Sequence, residues 1–175
     1  VCGIAGTGDE EKIQRVVSEV ERILRNRKRD WTRWVEPGAP EGQTGLDLSR
    51  FRARKFGPNR RPVPEDGHGD VFLVVDNITA IKTELPPVHD RINALSDGAL
   101  NFVVHVIISN DSWMGMKAEP KLSSKVELRL ASHNDSLMDR PLAKTVPDDQ
   151  KGRGVVKPGK HMLVVAYSDR DPGSV

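Results

Sequence analysis

With 175 residues the chain has room for one domain with an ordinary core, and 27 Lys and Arg against 25 Asp and Glu exclude the broad basic field of a dedicated nucleic-acid binder. A single cysteine, Cys2, excludes an intrachain disulfide framework and a multi-cysteine zinc site. Apolar runs far shorter than the roughly 20 residues of a membrane span, with no secretory signal pattern at the start, point to a soluble cytosolic protein, and a hydrophobic content of 37% is lean enough that part of the core is expected from elsewhere.

Val1 to Ala5 reads as a short strand closed by the turn Gly6-Thr7-Gly8. A helix is predicted from Asp9, which suits an N-cap. Glu10 and Glu11 fill its first turn, and Ile13, Val16, Val17, Val20, Ile23 and Leu24 keep helical spacing. Its end is basic, with Arg25, Arg27, Lys28, Arg29 and Arg33 interleaved with Trp31 and Trp34. Such a stretch either grips phosphates and stacks bases, or complements the helix C-terminus while the indoles cover the last turn; the second reading is preferred. Glu36 to Gly45 and Phe56 to Gly69 are rich in Pro and Gly around a short basic segment, Leu46 to Lys55, so residues 36–69 are expected to form an irregular, solvated insertion.

GDVFLVVDN, Gly69 to Asn77, is the most informative stretch. A turn signal leads into five apolar residues that stop on Asp76. A continuous apolar run suits a strand buried on both faces of a parallel sheet, and an aspartate at its carboxyl end can hold Mg²⁺ directly or through water. The plainer alternative is that Asp76 only caps the strand. Pro87 to Asp97 suits a short helix, and Phe102 to Ser109 a second buried strand ending on Ser109, Asn110 and Asp111, where small polar groups would watch a γ-phosphate. Lys125 to Leu130 and His161 to Tyr167 are two further strand candidates. Asn134 to Arg140 offers acids and a base on one turn, and Lys151-Gly152-Arg153-Gly154 reads as a flexible basic loop. The topology implied is α/β with a largely parallel sheet. The five histidines show no metal-ligand spacing, and His105 reads as a hydrogen-bonded core residue. Cys2 reads as packing. Met114 and Met116 beside Trp113 are either loop packing or an adaptable contact surface.

In this order, GDVFLVVDN, HVIIS with its tail SNDSW, KVELRL, DSLMDR, the proline of TVP, GRG and HMLVVA resemble the second half of an FtsK/HerA-type ATPase domain. The resemblance is closest to the later, degenerate ATPase modules of EccC, the motor proteins of type VII (ESX) secretion in mycobacteria and related actinobacteria. The opening, VCGIAGTGDEEKIQRVVSEVERILRNRK, is similar to the strand and helix that follow the P-loop helix in those modules.

The resemblance implies one FtsK-like module over residues 1–175, with a RecA-like P-loop NTPase sheet, flanking helices and no P-loop strand. ATP and Mg²⁺ would be the ligands of an intact module. Asp76 would hold Mg²⁺ or its water shell, and Asn77, Ser109 and Asn110 would face the γ-phosphate. Implied partners are other EccC modules or subunits, the membrane-embedded secretion complex at the inner face of the cell membrane, and WXG100-type helical substrates.

Several parts of the family's chemistry are absent. The sequence has no G-x-x-x-x-G-K-[ST]. Asn77 stands where active relatives carry the glutamate that orients water, and an amide cannot accept its proton. Asp97 to Asn101 has no basic residue where such domains place an arginine finger. Hydrolysis is therefore expected to be weak or lost. The alternatives are a DNA-translocating FtsK/HerA motor domain, served by Arg25 to Trp34, and a non-catalytic α/β scaffold. Without a P-loop strand, Phe102 to Ser109 is expected to leave an open edge. That edge would be met by direct pairing with Lys125 to Leu130, by another copy or module, or by poor solubility.

Overall fold

The computed structural model describes residues 3–6, 8–38, 42, 44–149, 152–157 and 161–164. They fall into two compact units, Val1–Ser109 and Asn110–Val175.

The first unit is organised by α1, Glu10–Arg33, which begins as predicted: the Asp9 carboxylate accepts from Lys12 N at 3.1 Å. Ile13, Val17, Val20, Leu24, Arg27 and Trp31 recur every three or four residues and are buried, so one stripe of the helix faces the core. Val16 is half-buried. The parallel pair β1, Val71–Val75, and β2, Val104–Ile108, is in register from Val71↔Val104 to Val75↔Ile108. Two helices make the crossover between them, α3, Ile78–Glu84, and α4, Pro86–Leu95, with a 3-10 turn at Ala99–Phe102. Val17, Val20, Leu73, Val75, Val88, Ile92 and Val104 are among the buried residues. Arg91 fastens α4 to α1 through Glu21, at 2.8 and 2.9 Å, and Ser18, at 2.7 Å.

Several expectations need correction in this unit. Gly3 to Ala5 are not in a strand, and Val1 and Cys2 lie outside the described residues. The run VFLVV is not buried on both faces: Leu73 and Val75 are buried, but Phe72 and Val74 are 56% and 66% exposed, as is Ile107 at 50%. The second strand starts at Val104 because Phe102 ends the 3-10 turn and Val103 takes a left-handed φ of 58°. Residues 36–69 are not irregular throughout. They contain α2, Leu48–Phe56, capped by Asp47, whose Phe51 stacks on Trp31 at 4.6 Å in a small core with Leu46 and Val103. Val35 and Thr44 pair in an antiparallel bridge.

In the second unit β3, Lys125–Leu128, pairs antiparallel with β4, Arg153–Lys157, and β4 with β5, His161–Val164. The expectation of a largely parallel sheet therefore holds only for β1 and β2. Direct pairing of β2 with β3 is not the arrangement, since the two belong to different sheets. Arg153 and Gly154 begin a strand rather than a flexible loop. Gly154 is needed there, because a Cβ would collide with the Glu127 carbonyl on β3. Residues 165–167 of the last predicted strand lie outside the described residues. Asp139, in the Asn134 to Arg140 turn, caps α5, Arg140–Lys144, by accepting from Leu142 N at 3.0 Å. Trp113 packs against the core of Met138, Val146 and Val155 and donates to the buried Glu127 carboxylate at 2.7 Å, whereas Met114 is 82% exposed.

Candidate functional site

Parallel pairing in the observed register brings the residues that follow β1 and β2 side by side. The ladder runs one step past the strands, with Ser109 N donating to Val75 O at 2.9 Å and Ile78 N to Ser109 O at 3.1 Å. Ser109 Oγ donates to Asp76 Oδ1 and accepts from Asn77 N at 3.1 Å. Asp76, Asn77 and Ser109 thus form one exposed polar network at the carboxyl ends of the strands, where α/β folds collect their ligands.

Asn77 has a local role that the sequence reading missed. Its φ of 53° and ψ of 71° lie in the left-handed region, which Asn tolerates, and its side-chain oxygen caps α3 by accepting from Ala80 N at 3.3 Å. The amide oxygen is engaged by the helix start. Asn110 opens the second unit, where its Nδ2 donates to Ser112 O at 2.6 Å.

The donor set limits the ligands this chain can hold by itself. Asp76 supplies one carboxylate and Ser109 one hydroxyl, which fits Mg²⁺ only as an ion that keeps waters and takes further ligands from phosphates. Among the described residues there is no cluster of three His, Cys, Asp or Glu that could hold a metal. The start of α1 is no phosphate cradle. The glycines before α1 lead to a helix start closed by the Asp9 carboxylate and followed by Glu10 and Glu11, the wrong charge for a phosphate cradle.

Beneath the strands lies a second group that the sequence reading passed over. Arg27 is 6% exposed. Its guanidinium binds both oxygens of Asp66, at 2.8 and 3.2 Å, and four carbonyls: His68 at 3.1 Å, Gly69 at 2.7 Å, Phe102 at 3.0 Å and Val103 at 2.9 Å. Burial pushes Asp66 upward, but the hydrogen bonds from Arg27 and His68 N and the charges around it outweigh burial and hold its carboxyl below the usual range. The signal was available in the sequence, because position 27 falls on the apolar stripe of α1.

The basic, Trp-bearing end of α1 is structural in its aromatic part. Trp31 is 3% exposed, and the Arg54 guanidinium covers the ring of Trp34 at 4.9 Å. His105 accepts or donates a hydrogen bond with Asp70 at 3.2 Å and stacks on Phe72 at 4.5 Å; it is hydrogen-bonded as expected, but half-buried rather than in the core.

No family model matches the chain. It is 34% identical over 174 residues to the ESX-5 secretion system protein EccC5 of Mycobacterium tuberculosis, which covers 97% of this chain and 11% of that protein. It is 30% identical over 166 residues to the ESX-1 secretion system protein EccCb1 of the same organism, covering 94% of this chain and 26% of that one. Among solved structures, it superposes with a TM-score of 0.72 and 32% identity on Thermomonospora curvata EccC (ATPases 2 and 3) in complex with a signal sequence peptide, over 91% of this chain and 27% of that one. The chain therefore spans a small part of the length of these relatives. Sequence and structure together place it in the EccC family of type VII (ESX) secretion, with the P-loop NTPase fold of the ATPase domains of those proteins.

Proposed function

We propose that this chain is a degenerate ATP-binding module of an EccC-type motor that drives type VII protein secretion, with weak or no hydrolysis of its own. The observation that carries the reading is the Asp76–Ser109 pair at the carboxyl ends of β1 and β2, which keeps a metal-side carboxylate in place while the phosphate cradle and the catalytic acid are missing. In this reading Asp76 holds Mg²⁺ or its water shell, and Asn77, Ser109 and Asn110 face the γ-phosphate of a nucleotide whose other contacts come from neighbouring surfaces. Residues 1–175 act as one FtsK-like module.

Its partners are other EccC ATPase modules or subunits, the type VII membrane complex and WXG100-type helical substrates. The signal sequence peptide bound to the solved relative supports a substrate-handling role. No helix among the described residues is long and apolar enough to cross a membrane. In this reading the module works at the inner face of the cell membrane through those partners. A DNA-translocating role loses its stacking platform, because Trp31 is buried and Trp34 carries an arginine on its ring.

Phosphate release from ATP by the purified chain tests the proposal. Turnover should stay at background and be unaltered by Asp76→Ala. Activity that persists through further purification and disappears in Asp76→Ala would overturn it.

A further inference from the structure

The modest total charge hides a strong internal division. Residues 25–61 carry eleven Lys and Arg against four Asp and Glu, a net of +7 in a chain whose total is +2, so everything outside them sums to −5. Inside this stretch the counter-ions are too few. Glu36 lies 2.7 Å from Arg50 and 3.7 Å from Arg61 and also pairs with Arg54, so one carboxylate serves three guanidiniums. The hydrogen bond from Arg50, followed by the charges of the neighbouring arginines, holds the Glu36 carboxyl below its usual range against the opposing effect of burial.

The excess charge borders a groove. Its walls include Lys55, Phe56, Arg60, Arg61, Val63 and Glu65. Phe56, at the end of α2, is 63% exposed, with Lys55 Nζ 5.9 Å from the centre of its ring. Arg52 shares that face of α2, since residues three and four apart on a helix are neighbours. Among the described residues the only carboxylate on the groove wall is Glu65, which pairs with Lys55 at 3.4 Å. Arg52 and Arg60 are exposed and engaged in no ion pair among the described residues. Apolar surface framed by uncompensated cations in a concave site suits a chain segment that carries both carboxylates and an apolar side chain.

We propose that this groove, between the end of α2 and residues 60–65, docks an acidic linear segment of a partner protein, with an apolar side chain laid on Phe56 and Val63 and carboxylates met by Arg52, Arg60 and Arg61. The two tryptophans of the same basic stretch are withdrawn from base stacking, which disfavours nucleic acid. Among the described wall residues Phe56 alone is a strongly exposed large apolar side chain, far from the broad apolar face that inserts into a lipid surface. The proposal is independent of the nucleotide reading, because it uses none of Asp76, Asn77 and Ser109.

Fluorescence anisotropy with the full chain tests it. The probes are a labelled peptide of Glu and Asp flanking a Leu-Leu centre, the same peptide with Gln and Asn in place of the acids, a short DNA duplex, and vesicles of phosphatidylglycerol and phosphatidylcholine. The acidic peptide should bind best, and its affinity should fall as salt rises. The double variant Arg52→Glu, Arg60→Glu, whose parent residues hold nothing in place, should weaken binding by roughly tenfold or more at an unaltered melting temperature. Phe56→Ser should weaken it separately. Equal binding of the amide peptide, tighter binding of duplex or vesicles than of the acidic peptide, or unaltered affinity in the double reversal would each overturn the proposal.

Discussion

Replacing Arg27 by Met should cost about 3 kcal/mol, a large share of the ~5–15 kcal/mol that separates folded from unfolded states in a typical domain. Methionine keeps most of the apolar stem, so the loss isolates the guanidinium. Breaking a buried ion pair by removing one partner costs roughly 3–5 kcal/mol, because the other charge is left uncompensated. Asp66 retains 23% of its side-chain exposure, so water can recover part of that cost, which sets the lower end. Four carbonyls also lose their donor.

The consequence reaches the site because of where those carbonyls lie. His68 and Gly69 immediately precede the segment leading into β1, and Phe102 and Val103 immediately precede β2, with Val103 held in a left-handed conformation that a β-branched residue adopts only under constraint. Arg27 therefore ties together the two strand starts whose register sets Asp76 against Ser109. Urea unfolding with linear extrapolation should show the loss. Amide exchange should show reduced protection across Val71–Val75 and Val104–Ile108, and the double-mutant cycle with Asp66→Asn should give a coupling of about 1–3 kcal/mol. A loss under about 1 kcal/mol with unaltered strand protection would refute this account of the clamp.

At position 77 the cap and the left-handed backbone make separable demands: Asn77→Ala should lose about 1 kcal/mol in urea unfolding, and Asn77→Gly less, because glycine accepts the conformation without a side chain; the reverse order would remove the capping argument. Asn77→Glu should give no ATP hydrolysis in this chain, since groups that act as a unit do not restore activity singly, and a gain of turnover would count against assigning Asn77 to the lost catalytic position. Acid should destabilise the first unit in a defined direction. Asp66, and Glu21 through its hydrogen bond from Arg91, both have folded pKa values below the unfolded ones, so the stability they add is complete above the ordinary carboxylate range and is lost as pH falls through the folded values. The urea midpoint should accordingly drop below about pH 4, and Asp66→Asn should flatten that slope.

Residue order carried much of this structure, and the failures have physical causes. The helix from Asp9 was legible because cap, acidic first turn and apolar stripe agree. Asp76 and Ser109 were legible as strand-end residues because each closes an apolar run, and parallel register then made them neighbours. The role of Asn77 was not legible, since a left-handed φ and a cap onto Ala80 depend on how α3 starts against β2. Residues 36–69 were misread because Pro and Gly mark turns without revealing what lies between them. Phe51 gains its place from Trp31, a contact between distant parts of the chain that no local pattern encodes. The motif GRG was misread for the opposite reason: glycine signalled freedom, whereas Gly154 is required by close approach to β3.

The apolar run VFLVV has the composition of a strand covered on both sides, yet only Leu73 and Val75 are withdrawn from water. On the other face of the pair Phe72, Val74 and Ile107 remain at least half exposed. At about 1.5–3 kcal/mol for full burial of such a side chain, roughly half of that remains unrealised at each of the three positions, and the sum, about 2–4 kcal/mol, is a substantial fraction of the stability margin of a small domain. The polar network at the strand ends stands in the same relation to its chemistry, holding one carboxylate and one hydroxyl where phosphoryl transfer needs a cradle, a base and a further cation. The sheet and the site are therefore both fitted to contacts that these residues do not make among themselves. In the proposed reading, a module of this kind gains stability by joining its neighbours, and by the same step Asp76 and Ser109 acquire a nucleotide to face.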